Sequence, residues 1–113
     1  MSSAVPAEIA DSDHVSDVAV LVNESIRLHC AAGGLPRPRV VWYFDDTPLT
    51  ADIVDHAAAP AAVQLLDEGR TLYVDSAQLR HAGRYTCRAV NVAGHDEKLF
   101  NLTAHGLTAV ILH

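Results

Sequence analysis

Gly83-Arg84-Tyr85-Thr86-Cys87 is the stretch on which the fold turns. Tyr85, Cys87 and Ala89 alternate with Thr86 and Arg88, the period-two pattern of a strand with one buried face. The other cysteine, Cys30, lies far upstream and is followed after twelve residues by Trp42. Two cysteines without a CxxC spacing leave a choice between one disulfide and two free thiols. The aromatic residues in register favour the bridge. In a two-sheet sandwich, cysteines on opposite sheets face inward, an indole packs against them, and a tyrosine two residues before the second cysteine turns its hydroxyl back to upstream backbone. In the chain-entropy picture, closing a loop of this length contributes roughly 4 kcal/mol, a large share of a small domain's stability.

Working outward, the same alternation recurs. Ile26, Leu28 and Cys30 alternate with Arg27 and His29, predicting a strand over about 25–31. Val40, Trp42 and Phe44 alternate with Val41 and Tyr43; Leu72 and Val74 follow Gly69; Phe100, Leu102 and Ala104 alternate with Leu99, Asn101 and Thr103. Gly33, Gly34, Pro36 and Pro38 break the chain after the first of these strands, and Asp45-Asp46-Thr47-Pro48 predicts a turn. Asn91 to Asp96, with Gly94 inside, reads as a hairpin connection. Residues 57–66 contain Pro60 and many alanines, and read as loop followed by a short edge strand. No stretch sustains a 3.6-residue period over ten positions, so the chain is all-β.

Leu28-His29-Cys30, Gly34-Leu35-Pro36-Arg37-Pro38, Val41-Trp42-Tyr43, Gly69-Arg70-Thr71-Leu72 and the run His81 to Cys87 together resemble an intermediate-set (I-set) immunoglobulin domain. The segment Arg88 to Lys98 and the segment Val18 to Glu24 are similar to the repeated immunoglobulin domains of hemicentins, matrix proteins built from long tandem arrays. The resemblance spans about residues 5–104, leaving 1–4 as a disordered lead and 105–113 as a tail or linker. It implies a Greek-key β-sandwich of two antiparallel sheets joined by one disulfide, Cys30 to Cys87, with Trp42, Tyr85 and Leu72 as core residues. One position departs: the family usually has an aspartate, paired with a basic residue, where this chain has His81. That ion pair is not carried over, and a somewhat lower stability is expected.

Composition narrows the function. The 113 residues fit one domain. The hydrophobic fraction of 50% overstates the core, because 18 of those residues are alanine. A net charge of -6 and the absence of a basic run argue against nucleic acid. The start MSSAVPAEIA has neither a basic opening nor an apolar stretch, so it does not read as a signal peptide, and no segment approaches the length of a membrane span. An excised unit of a longer secreted chain is the expectation. Asn23-Glu24-Ser25 and Asn101-Leu102-Thr103 both satisfy the N-glycosylation rule in a chain with only three asparagines. With a disulfide, they point to the secretory pathway.

Chemistry is sparse. None of the seven histidines has another histidine or a cysteine at metal-ligand spacing. Asp45, Asp46, Asp52 and Asp55 lack the glycine and oxygen spacing of a calcium loop and read as a solvated acidic turn. No activated nucleophile, Gly-x-Ser-x-Gly or phosphate-cradling loop is present, so no catalytic residue, metal, cofactor or small-molecule substrate is expected. Arg37 and Arg39, beside Pro36 and Pro38, could contact an acidic partner or a sulfated glycan but read first as solubilising. The expected role is a non-catalytic extracellular module for adhesion or matrix organisation, a spacer and interaction unit whose partners are other proteins, including neighbouring domains. The alternatives are a ligand-binding ectodomain module of a signalling receptor and an intracellular titin-like structural domain. Within the predicted sheet, Val41, Tyr43 and Arg88 are the candidate binding residues.

Overall fold

The computed structural model of the protein describes residues 3–49 and 63–106. Residues 50–62, with the loop expected from 57 onward, and the tail from 107 onward lie outside the described residues. Ten strands follow in order: β1 (Val5–Ile9), β2 (Ser16–Leu21), β3 (Ile26–His29), β4 (Ala32–Leu35), β5 (Arg39–Phe44), β6 (Thr47–Leu49), β7 (Val63–Leu66), β8 (Thr71–Val74), β9 (Gly83–Asn91) and β10 (Gly94–His105). Among the described residues a 3-10 turn, Leu79–His81, sits between β8 and β9.

The strands make two layers. One sheet has the order β2-β10-β9-β5-β6. The other has the order β3-β8-β7, and the chain of β3 runs on past Cys30 into β4, which pairs with β1. The chain therefore changes layers between β1 and β2. As a consequence β2 runs parallel to β10, Ser16 beside Phe100 through Leu21 beside His105, while the other described pairs are antiparallel. The β10 ladder reaches His105, whose carbonyl accepts the Val22 amide at 2.9 Å.

Inward residues from both layers form one core, in which Leu28, Trp42, Leu72, Tyr85, Cys30 and Cys87 are fully buried. The Cys30–Cys87 disulfide joins β9 to the residue that follows β3, tying the two layers across a separation of 57 residues. Trp42 lies opposite Cys87 in the β5–β9 register and packs against Phe100, ring centroids 5.6 Å apart. Its indole N–H donates to the Gly69 carbonyl at 2.7 Å, so the one polar atom of a buried ring is satisfied. The Tyr85 hydroxyl donates to the His81 carbonyl at 2.7 Å. Burial, and then the nearby Asp45 charge, raise the Tyr85 phenol above its ordinary value, which keeps it a neutral donor.

Two glycines are required by space. Gly83 has φ +155° at the start of β9, and a Cβ there would lie 2.8 Å from the Phe44 ring. Gly34 has φ +151° in β4, and a Cβ would sit 3.0 Å from the Asn91 side chain and 3.1 Å from the Ala7 and Val5 backbone. The second explains a difference from the sequence reading. Gly33 and Gly34 do not break the chain; both lie within β4, and Gly34 lets it pack close against β1. Likewise the Asp45-Asp46 turn is followed at once by β6, so Thr47 and Pro48 belong to an edge strand, where a proline costs no ladder bond.

Candidate functional site: the outer face of the five-stranded sheet

Alternation fixes which side chains face outward. On β5 these are Arg39, Val41 and Tyr43, and on β9 Thr86, Arg88 and Val90, because Trp42, Cys87 and Ala89 are turned into the core. The β5–β9 register sets Arg39 opposite Val90, Val41 opposite Arg88 and Tyr43 opposite Thr86. The three candidate binding residues from the sequence, Val41, Tyr43 and Arg88, are thereby brought together along one open groove of about 630 Å³. Arg37, Arg39 and Val90 line the same groove.

Its electrostatics are uneven. Arg37 pairs with Glu68 at 2.7 Å, both side chains well exposed. Arg88 lies 3.8 Å from Glu97, directly across the β9–β10 ladder. The Arg88 Nε is buried and has no hydrogen-bond partner among the described residues. A second hollow shares Tyr43 and Arg88 and continues down the sheet past Asp46, Arg84 and Glu97, where charges of both signs meet.

Asn91 holds the upper wall of the groove. Its side-chain oxygen accepts from the Ala7, Ala93 and Gly94 amides at 3.2, 3.0 and 3.0 Å, and its amide donates to the Val5 and Pro36 carbonyls at 2.7 and 3.0 Å. One side chain thus clasps β1, the 35–38 loop and the β9–β10 turn. The sequence reading placed Asn91 in a hairpin and missed this role. The available signal was an asparagine starting a two-residue turn that ends in glycine.

The remaining sequence-derived residues lie elsewhere. Asn23 is exposed in the β2–β3 turn with φ 77°, its oxygen accepting from the Gln78 amide at 3.1 Å. Asn101 is exposed on β10, its amide donating to Asp17 at 3.2 Å. His81 is buried, and its Nδ1 accepts the Gln78 backbone N–H at 2.8 Å, capping the 3-10 turn. Among the described residues, no group of three or more His, Cys, Asp or Glu is placed to hold a metal. No described helix is long and apolar enough to cross a membrane.

The family profile of the immunoglobulin I-set domain matches residues 12–104. Hemicentin-1 of mouse is 35% identical over 98 residues, covering 87% of this chain and 2% of that protein. Human matrix-remodeling-associated protein 5 is 32% identical over 101 residues, covering 88% of the chain and 3% of that protein. The chain therefore spans only a small fraction of the curated relatives it matches. Among solved structures, two titin domains in complex with telethonin superpose with a TM-score of 0.76 at 20% identity, covering 94% of this chain and 50% of that one, a likeness of fold alone.

Proposed function

Since the chain belongs to the immunoglobulin I-set family, we propose that it serves as a non-catalytic extracellular module of adhesion or matrix organisation, one unit of a tandem array. Residues 5–104 would form the unit, and 1–4 and 105–113 the flanking lead and linker. Such a unit spaces its neighbours as a rigid sandwich and presents the outer face of β5 and β9 to other proteins. The observation that carries the reading is the fully buried Cys30–Cys87 bridge between the two layers, which persists only in an oxidising compartment. The hemicentin-1 likeness supports the matrix setting. The exposure of Asn23 and Asn101 supports glycosylation at both sequons.

The nematode muscle protein unc-89, 27% identical over 92 residues, supports the alternative of an intracellular structural domain. Reduction separates the two. An extracellular module that relies on its bridge loses roughly 4 kcal/mol when reduced, about 15–30 °C in melting temperature. Melting by circular dichroism with and without dithiothreitol reads this directly. A reduced domain that melts within a few degrees of the oxidised one belongs to the intracellular class.

A further inference from the structure

We propose that the groove between β5 and β9 takes an acidic segment of a partner protein, seated through an apolar side chain on Val41 and Val90 and through carboxylates on Arg39, Arg37 and Arg88. This rests on the reading of the chain as a protein-interaction module and names the chemistry of the partner.

The chain carries 14 acidic against 8 basic residues. Three of those eight nevertheless line this one groove, and no acidic residue among the described residues lines it. Arg37 and Arg88 are each paired with a glutamate at the margin of the groove, Glu68 and Glu97, which an incoming carboxylate would have to share, whereas Arg39 is exposed and has no ion-pair partner among the described residues. The guanidinium fork matches a carboxylate in a two-point hydrogen-bonded geometry, which a lysine does not offer. Clusters of arginine are the usual readers of acidic motifs.

The floor selects among anionic occupants. Val90 is 41% exposed, and Val41 and Tyr43 are half-buried beside it. An apolar strip flanked by arginines suits a peptide carrying an aliphatic or aromatic residue between acidic ones. A sulfated glycan would leave that strip uncovered. The groove wall is already in place, since Asn91 ties the Pro36 carbonyl to the end of β9, so little ordering is needed on binding. The lower hollow sets Asp46 and Glu97 beside Arg84 and Arg88 and offers no net positive charge, whereas the upper groove has arginines and no acidic lining among the described residues, which favours an acidic segment there. The Asn101 sequon lies lower on the same sheet. Asn101 pairs with Arg84, four residues or about 13 Å along β9 from Arg88.

The test selects short random peptides displayed on phage against the disulfide-bonded, glycosylated domain, and measures their binding by fluorescence anisotropy. Enriched peptides should carry Asp or Glu around an aliphatic or aromatic residue and should bind more weakly as salt rises. Arg39→Glu and Arg88→Glu should each weaken them at least about tenfold. Arg80→Glu, the same charge change on an exposed residue of the 3-10 turn, should leave binding within about twofold. Each variant is first matched to the parent in melting temperature, and Arg39→Gln replaces any that is not. Peptides without acidic enrichment, or equal losses for Arg39→Glu and Arg80→Glu, would overturn the proposal. So would heparin retention that Val41→Ser leaves intact, which identifies a glycan occupant, or Arg39-dependent self-association on sedimentation, which identifies a second copy. Failure of the groove leaves disulfide and glycan untouched, whereas failure of the extracellular reading shows as free thiols and missing glycan mass.

Discussion

At the scale of single residues, polar side chains with several backbone partners organise the ends of the sandwich. Asn91 makes five such bonds in reach of three segments. Asn91→Ala removes them all and should cost about 2–3 kcal/mol, since each net bond contributes on the order of 0.5–1.5 kcal/mol and several donors are left part-buried. Urea denaturation measures the loss. Asp96 ties β10 to β1 in a similar way. Burial works to raise its pKa, but hydrogen bonds from the Ile9 amide, the Ser12 side chain and the Glu97 amide, with the His95 charge, outweigh this and hold it below the usual carboxylate range. Its folded pKa is thus the lower one, so its contribution is complete above the unfolded value, about 3.9, and is lost as pH falls through the folded value. Asp96→Asn should therefore show a shallower fall of stability below about pH 4 than the parent, differing by at most about 1 kcal/mol because the group is partly solvated. His81 shows why a departure from a family pattern need not leave a gap. The imidazole cannot supply the permanent charge of an aspartate, but its neutral Nδ1 supplies an acceptor for the Gln78 amide.

At the scale of elements, β3, β5, β8, β9 and β10 were legible because each buries one face and alternates accordingly. The strands β1, β2, β4 and β6 were not. Val5-Pro6-Ala7-Glu8-Ile9 and Ala32-Gly33-Gly34-Leu35 carry little side-chain pattern, and their pairing comes from contact with each other and from the Asn91 clasp, which no local window contains. The candidate face was legible in part. Val41, Tyr43 and Arg88 follow from alternation, whereas the arrival of Val90 beside Arg39 depends on cross-strand register, and that of Arg37 on the loop before β5. The crossing between β1 and β2 has its own anchor. Lys98 is 4% exposed, and its ammonium donates to the Asp11 and His14 carbonyls at 2.9 and 2.7 Å while lying 5.5 Å from the Phe100 ring centroid. Lys98→Met keeps the stem and removes the donors, so the crossing should loosen while the core stays packed. Hydrogen exchange should quicken at the His14 amide and along β2 but not in β5, with a global cost of about 1–2 kcal/mol.

At the scale of the molecule, the two layers meet in a core made of few large side chains, and the bridge between Cys30 and Cys87 lies at its centre. A small sandwich stapled across its layers draws a large share of its stability from the staple. The molecule is acidic as a whole, while three of its eight basic residues line one groove. The most direct test of the central claim is the intact mass of the domain secreted from mammalian cells, taken before and after glycosidase treatment and before and after reduction with alkylation. The account predicts glycan mass on Asn23 or Asn101 and no alkylated thiol until the protein is reduced. Two thiols that alkylate without reduction, on a chain whose mass glycosidase does not change, would contradict it.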